Sequence, residues 1–186
     1  MGKIANPEIT ALPEDIQNLL KQINLKLFTT WSHSVNTIKP VIELAAAQYA
    51  ALELPRKTRE LVILLLAKIL PCKYEWVQHV QPSKTAGVTP EQISAIEILN
   101  ITTEIFNPTE LAALKFTIAA LNAPTIPPEV FQSAQNQLSN RQLVELVGLI
   151  GFYWMAGRMA TIFEIELDIP IATEINDIGV KIFSNS

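Results

Sequence analysis

Apolar residues recur three and four positions apart along nearly the whole chain. Ile16, Leu19, Leu20, Ile23 and Leu27 make one stripe, and Leu61, Leu64, Leu65 and Ile69 make another. That period belongs to helices that bury one face. No convincing run of strict alternation breaks it. The spacing predicts helices near residues 13–28, 33–51, 56–70, 72–86, 90–99, 108–122, 128–138 and 140–166, followed by a polar tail. The expected fold class is all-α.

The punctuation agrees. Thr89-Pro90-Glu91-Gln92 offers an N-cap, a proline at the first helical position and a Gln at the capping-box position. Asn107-Pro108-Thr109-Glu110 repeats it. Pro13-Glu14-Asp15 and Pro127-Pro128-Glu129 read as further starts, and Gly87 is placed to close a helix in the left-handed conformation. Arg59-Glu60-Leu61-Val62 has an echo in Arg141-Gln142-Leu143-Val144, each opening a very apolar helix. A duplicated helical hairpin and a chance match both fit that echo. With no linker or low-complexity stretch, 1–186 reads as a single all-α domain.

Composition narrows the partners. Lys plus Arg number 14 against 18 Asp plus Glu, a formal charge of −4, so no basic stripe exists to bind nucleic acid or an anionic membrane. Hydrophobic residues at 49% and charged residues at 17% exclude a disordered chain and suggest that apolar surface goes into self-association. One cysteine, Cys72, excludes an intrachain disulfide and an all-cysteine metal site. No signal peptide or membrane span is expected; the longest apolar run, Leu146 to Gly157, falls short of the roughly 20 residues a span needs. A cytoplasmic location is the expectation. No cofactor or metal motif is present.

The polar residues that a plain core does not need lie between Glu60 and Gly87. Pro71 ends one helix and starts another, which predicts a tight helical hairpin. Cys72, Glu75 and His79 are spaced three and four apart and are expected on one face. Leu70 back to Glu60 is roughly 15 Å of helix and Pro71 on to His79 about 12 Å, so Glu60 and His79 should face each other at nearly one level. A carboxylate against an imidazole fixes its tautomer and raises its basicity. Glu75 adds a second carboxylate, and Cys72 in the first turn would have a thiolate favoured by the helix dipole. The same residues also fit blander roles. Glu75 and His79 would then be an exposed pair worth about 0.3 kcal/mol, Glu60 a first-turn acid and Cys72 a small buried hydrophobe. His33 sits at a helix start and reads as a cap or surface residue. Phe152, Tyr153 and Trp154, with Met155 and Met159, read as core or interface before pocket.

Over this hairpin the chain resembles the carboxymuconolactone decarboxylase and alkyl hydroperoxidase D superfamily. The resemblance rests on Arg59-Glu60-Leu61-Val62, then Cys72-Lys73-Tyr74-Glu75-Trp76-Val77-Gln78-His79, then Ala86-Gly87 and Pro90-Glu91-Gln92-Ile93. It is specific over about residues 40–100 and softer over 108–167. It implies a bundle of helical hairpins that self-associates as a dimer, trimer or hexamer, with active sites near subunit contacts. Glu60, Cys72 and His79 match the relay Glu, the first Cys and the His of the hydroperoxidase branch. Glu75 stands where that branch has its second Cys, and Glu75 with His79 resembles the decarboxylase pair.

The leading expectation is therefore an enzyme using His79, Glu60 and Glu75 for acid–base chemistry, a decarboxylation or isomerisation, on a small organic acid or lactone. Arg56, Lys57, Arg59, Lys73 and Arg158 are its candidate anion clamps. One alternative is a one-cysteine peroxidase (peroxiredoxin-type oxidoreductase) working through Cys72. Another is an oligomeric small-molecule-binding protein without turnover.

Overall fold

A computed structural model describes residues 2–168. Among them are nine α-helices and one 3-10 turn (Ile9–Ala11), and no strand. The helices are α1 (Glu14–Ile23), α2 (Lys26–Trp31), α3 (Val35–Ala50), α4 (Arg56–Ile69), α5 (Lys73–Thr85), α6 (Pro90–Glu97), α7 (Pro108–Asn122), α8 (Pro128–Gln135) and α9 (Asn140–Ile162).

The expected helix over 13–28 is two helices. The apolar stripe runs on through Leu27, but Asn24 turns left-handed (φ 47°) and its N–H caps the Leu20 carbonyl. Asparagine tolerates that conformation, so periodicity continues across a real chain break. The last helix stops at Ile162, short of the expected 166, and Glu164 follows at φ 52°. The polar tail beyond Asp168 lies outside the described residues.

The capping boxes at Thr89/Gln92 and Asn107/Glu110 form with both reciprocal hydrogen bonds, and Ser139/Gln142 adds a third. Each cap contributes about 1 kcal/mol. Gly87 ends α5 at φ 92°, with the Val88 N–H returning to the Ser83 carbonyl.

Helix α4 is the axis of the molecule. Every residue from Thr58 to Ala67 is buried, because α5, α6, α7 and α9 all pack against it. A helix apolar all round has no solvent face, so the two charges within it, Arg59 and Glu60, must find partners inside. Pro71 makes the turn into α5, and the Cys72 N–H bonds the Ala67 carbonyl at 2.8 Å.

Helix α9 is long and apolar enough to cross a membrane by length and composition, yet half of its most apolar stretch is buried against the rest of the protein. Phe152 and Tyr153 point inward, while Val144, Val147 and Trp154 are exposed.

Candidate active site

The α4–α5 hairpin puts Glu60 and His79 at one level, as helix rise requires. His79 Nδ1 lies 3.0 Å from Glu60 Oε2. An ionised carboxylate only accepts hydrogen bonds, so Nδ1 carries the proton and Nε2 is left with its lone pair. Nε2 faces Glu75 Oε2 at 3.5 Å, one turn back along α5. Glu60, Glu75 and His79 are all at most 5% exposed, so the exposed-pair role for Glu75 and His79 does not hold.

The two carboxylates sit in opposite electrostatic settings. Burial pushes the Glu60 carboxyl up, but His79 and Arg59 outweigh it and hold the group below the usual carboxylate range. Arg59 donates from Nη2 to Glu60 Oε1 at 3.2 Å and from Nη1 to the Gln48 and Tyr49 carbonyls at 3.0 and 3.2 Å. Its guanidinium also lies over the Tyr49 ring, 4.6 Å from the centroid. Glu75 has no such cation: burial raises its pKa, and His79 offsets only part of that. One acid is kept charged and the other pushed toward its neutral form.

Two tyrosines roof the imidazole. The Tyr49 hydroxyl stands 3.4 Å from both ring nitrogens of His79, favouring neither. It shares a 3.0 Å hydrogen bond with the Tyr153 hydroxyl, and the Tyr153 ring meets His79 edge-on at 5.1 Å. Burial, reinforced by Glu60 beside Tyr49, pushes both phenols well above their ordinary pKa, so they remain O–H donors.

These groups close one end of a small cavity of about 70 Å³ whose other walls are aliphatic and aromatic, among them Ile42, Ala46 and Phe152. All three tyrosines of the chain, Tyr49, Tyr74 and Tyr153, line it. Gln78 lines it too, with its amide N–H donating to Asp168 Oδ2 at 3.2 Å; the Tyr74 hydroxyl donates to the same oxygen. Sequence reasoning missed Tyr49, Gln78 and Asp168. The scarcity of tyrosine in so apolar a chain is the one signal that would have found Tyr49.

Cys72 departs from expectation. It is the N-cap of α5, with extended backbone (φ −94°, ψ 96°), rather than a residue of its first turn. Its side chain is 2% exposed, faces Gly157 of α9 and is absent from the cavity wall. Burial pushes the thiol pKa up and Glu75 adds to it, outweighing the N–H groups of Glu75 and Tyr74 that stabilise a thiolate.

The five candidate anion clamps also lie elsewhere. Arg56, Lys73 and Arg158 are exposed, Lys57 pairs with Glu110 at 2.8 Å, and Arg59 sits behind Glu60. No lysine or arginine is among the described residues that line the cavity. His33 bonds the Ala5 carbonyl at the surface at 2.8 Å. Among the described residues, no group of three or more His, Cys, Asp or Glu is arranged to hold a metal ion.

Residues 39–119 match the carboxymuconolactone decarboxylase family. No curated protein is significantly similar to the chain. The fold is shared with the alkylhydroperoxidase AhpD core, an uncharacterized peroxidase-related protein from Ralstonia eutropha JMP134, at TM-score 0.76 and 16% identity over 96% of each chain. It is shared too with an uncharacterized peroxidase-related protein from Silicibacter sp. TM1040, at TM-score 0.77 and 13% identity over 91% of this chain and 93% of the other. The debrominase Bmp8 aligns at TM-score 0.69 and 14% identity over 93% of this chain and 96% of its own. At such identities the likeness is one of fold.

Proposed function

Residues 39–119 belong to the carboxymuconolactone decarboxylase family, and from that premise we propose that the chain is an enzyme doing Glu/His acid–base chemistry on a small organic molecule. The observation that carries this reading is the buried chain of contacts from Glu60 through His79 to Glu75, ending at a cavity. Two carboxylates with environments that separate their pKa values take different roles, the ionised one fixing the imidazole and the neutral one carrying protons. Glu60 stays ionised and orients the imidazole. Glu75, held toward its neutral form, hands its Oε2 proton to His79 Nε2 while Oε1 takes one from the substrate. The imidazolium that results faces the Glu60 carboxylate. Running the relay backwards returns the proton at a different substrate atom, which is an isomerisation.

The peroxidase alternative is less well supported. A thiol peroxidase needs an accessible thiolate, whereas Cys72 is buried and outside the cavity lining, with its thiol pKa raised.

The test is deuterium uptake from heavy water into small neutral ketones and lactones, cyclopentanone first, followed by NMR. Exchange by the native chain should fall about 10²- to 10⁴-fold in His79→Gln and persist in Cys72→Ser. Exchange no faster than that of imidazole and acetate buffers, or unchanged in His79→Gln, overturns the acid–base reading. Rapid oxidation of Cys72 by an organic hydroperoxide would restore the peroxidase one.

A further inference from the structure

The cavity carries information about its ligand in the hydrogen bonds it leaves unmade. Glu75 Oε1 and Gln78 Oε1 are buried and have no partner, and both residues line the cavity. Their side chains are three residues apart on α5, and neither residue is more than 5% exposed. An oxygen buried without a donor costs about 1–3 kcal/mol. The orientation of the Gln78 amide is fixed by chemistry: its NH₂ group faces the Asp168 carboxylate, which only accepts, so its oxygen must be the atom left over. The Tyr74 hydroxyl donates to the same Asp168 oxygen, so it too is turned away from the unpaired oxygens.

The rest of the lining sharpens the demand. No lysine or arginine faces the cavity among the described residues, and Glu75 is the one glutamate of its lining, Glu60 lying behind His79. A carboxylate ligand would meet the acceptor oxygens of Glu75 and Gln78 with no lysine or arginine to answer its charge. Apart from His79 and the three tyrosines, the walls, Ile23, Leu25, Leu27, Phe28 and Ile42 among them, offer apolar surface.

We infer that the cavity takes an uncharged, mainly hydrocarbon molecule bearing an O–H or N–H group, a phenol- or enol-like weak acid, whose proton is directed at the unpaired oxygens of Glu75 and Gln78. This deepens the acid–base reading and rests on it for turnover, though not for binding. The donated proton meets Glu75 Oε1, the end of the relay. Of the two substrate classes expected from sequence, a small organic acid or a lactone, the acid is the one this lining rejects.

Three probes of similar size test the inference against the full chain at pH 8 by titration calorimetry: phenol, fluorobenzene and benzoate. Phenol should bind about tenfold or more tightly than either of the others, since a site with unpaired acceptors discriminates strongly against an analogue without the donor. Glu75→Met and Gln78→Met each remove one acceptor at nearly constant volume. Each should weaken phenol roughly fivefold or more while leaving fluorobenzene within about twofold. Should Gln78→Met fail to fold for want of its Asp168 contact, Glu75→Met decides alone. Absence of phenol binding, benzoate binding as tightly as phenol, or a phenol preference that survives loss of the acceptor oxygens overturns the inference. Binding needs no turnover, so its outcome is independent of deuterium exchange. Phenol preference without His79-dependent exchange would sink the acid–base reading alone, and the converse would sink only the ligand class.

Discussion

Helices α4 and α9 carry nearly the same four residues near their N-terminal ends, Arg59-Glu60-Leu61-Val62 and Arg141-Gln142-Leu143-Val144, and both arginines fasten the far end of α3. Arg59 donates to the Gln48 and Tyr49 carbonyls, and Arg141 donates to the Ala51 carbonyl at 3.0 Å. There the likeness ends. The Arg59 side chain is 3% exposed and that of Arg141 62%. Val62 is wholly buried, and Val144 is 74% exposed. The difference teaches what a dry setting adds. Beside Arg141, Glu145 and Glu53 form surface ion pairs that water and salt weaken. Beside Arg59, Glu60 is shielded from both, and its charge must be answered by Arg59 and His79. Where the second helix has Gln142, a capping residue, the first has a carboxylate inside the molecule. The same four-residue motif is a surface clasp in one helix and, in the other, holds a buried carboxylate between Arg59 and His79.

The most severe way to break the comparison is to remove each arginine. Arg59→Met leaves the buried Glu60 charge answered by His79 alone and should cost about 3–5 kcal/mol, read as a drop in chemical-denaturation midpoint or loss of folding. Arg141→Met should leave the midpoint nearly unchanged. Equal effects would mean that burial is not what separates the two helices.

Next in size is Glu60→Gln. The native carboxyl is held below the usual range, so the stability it contributes is full above about pH 4–5 and disappears as pH falls through its lowered pKa. The variant should therefore be less stable at pH 7 by roughly 1–3 kcal/mol, with the gap closing toward pH 3. The opposite sign is expected one turn along α5. Burial raises the Glu75 pKa, so the native chain loses stability as pH rises from the usual carboxylate value through that raised one. Glu75→Gln should then match the native chain below about pH 4 and exceed it in thermal melting at pH 8, while losing deuterium exchange. A melting difference of either sign that ignores pH would show that neither carboxyl has a shifted pKa.

How much of this was legible in sequence depended on whether helix geometry alone decided it. The all-α class, the hairpin at Pro71 and the meeting of Glu60 with His79 follow from period and rise, which hold wherever the chain is helical. Cys72 shows where that arithmetic stops. Its spacing to Glu75 predicts one shared face, but the residue is an N-cap with extended backbone, so its side chain leaves toward Gly157 instead. Asn24 breaks a stripe that never falters in its spacing. Gln78 and Asp168 were beyond reach for another reason. Their meeting is a contact between α5 and the chain after α9, and no local pattern encodes which distant carboxylate a glutamine will find.

The smallest effect expected sharpens the contrast from the surface side. Gly148 and Gly151 lie on the exposed side of α9, and a Cβ placed at either meets nothing within 4 Å. Glycine inside a helix is destabilising by roughly 0.5–1 kcal/mol relative to alanine. With open space around them, Gly148→Ala and Gly151→Ala should each raise the melting temperature by a few degrees, independently of protein concentration. The exposed neighbours Val147 and Trp154 make that independence informative, because they give this face an apolar surface on which a second copy would pack. If the alanines instead lower the melting temperature, and more so in dilute solution, then something occupies the face closely enough to exclude a methyl group. The outward half of α9 would then be as constrained as α4, and the difference between the two helices would narrow to the one residue that remains, Glu60 against Gln142.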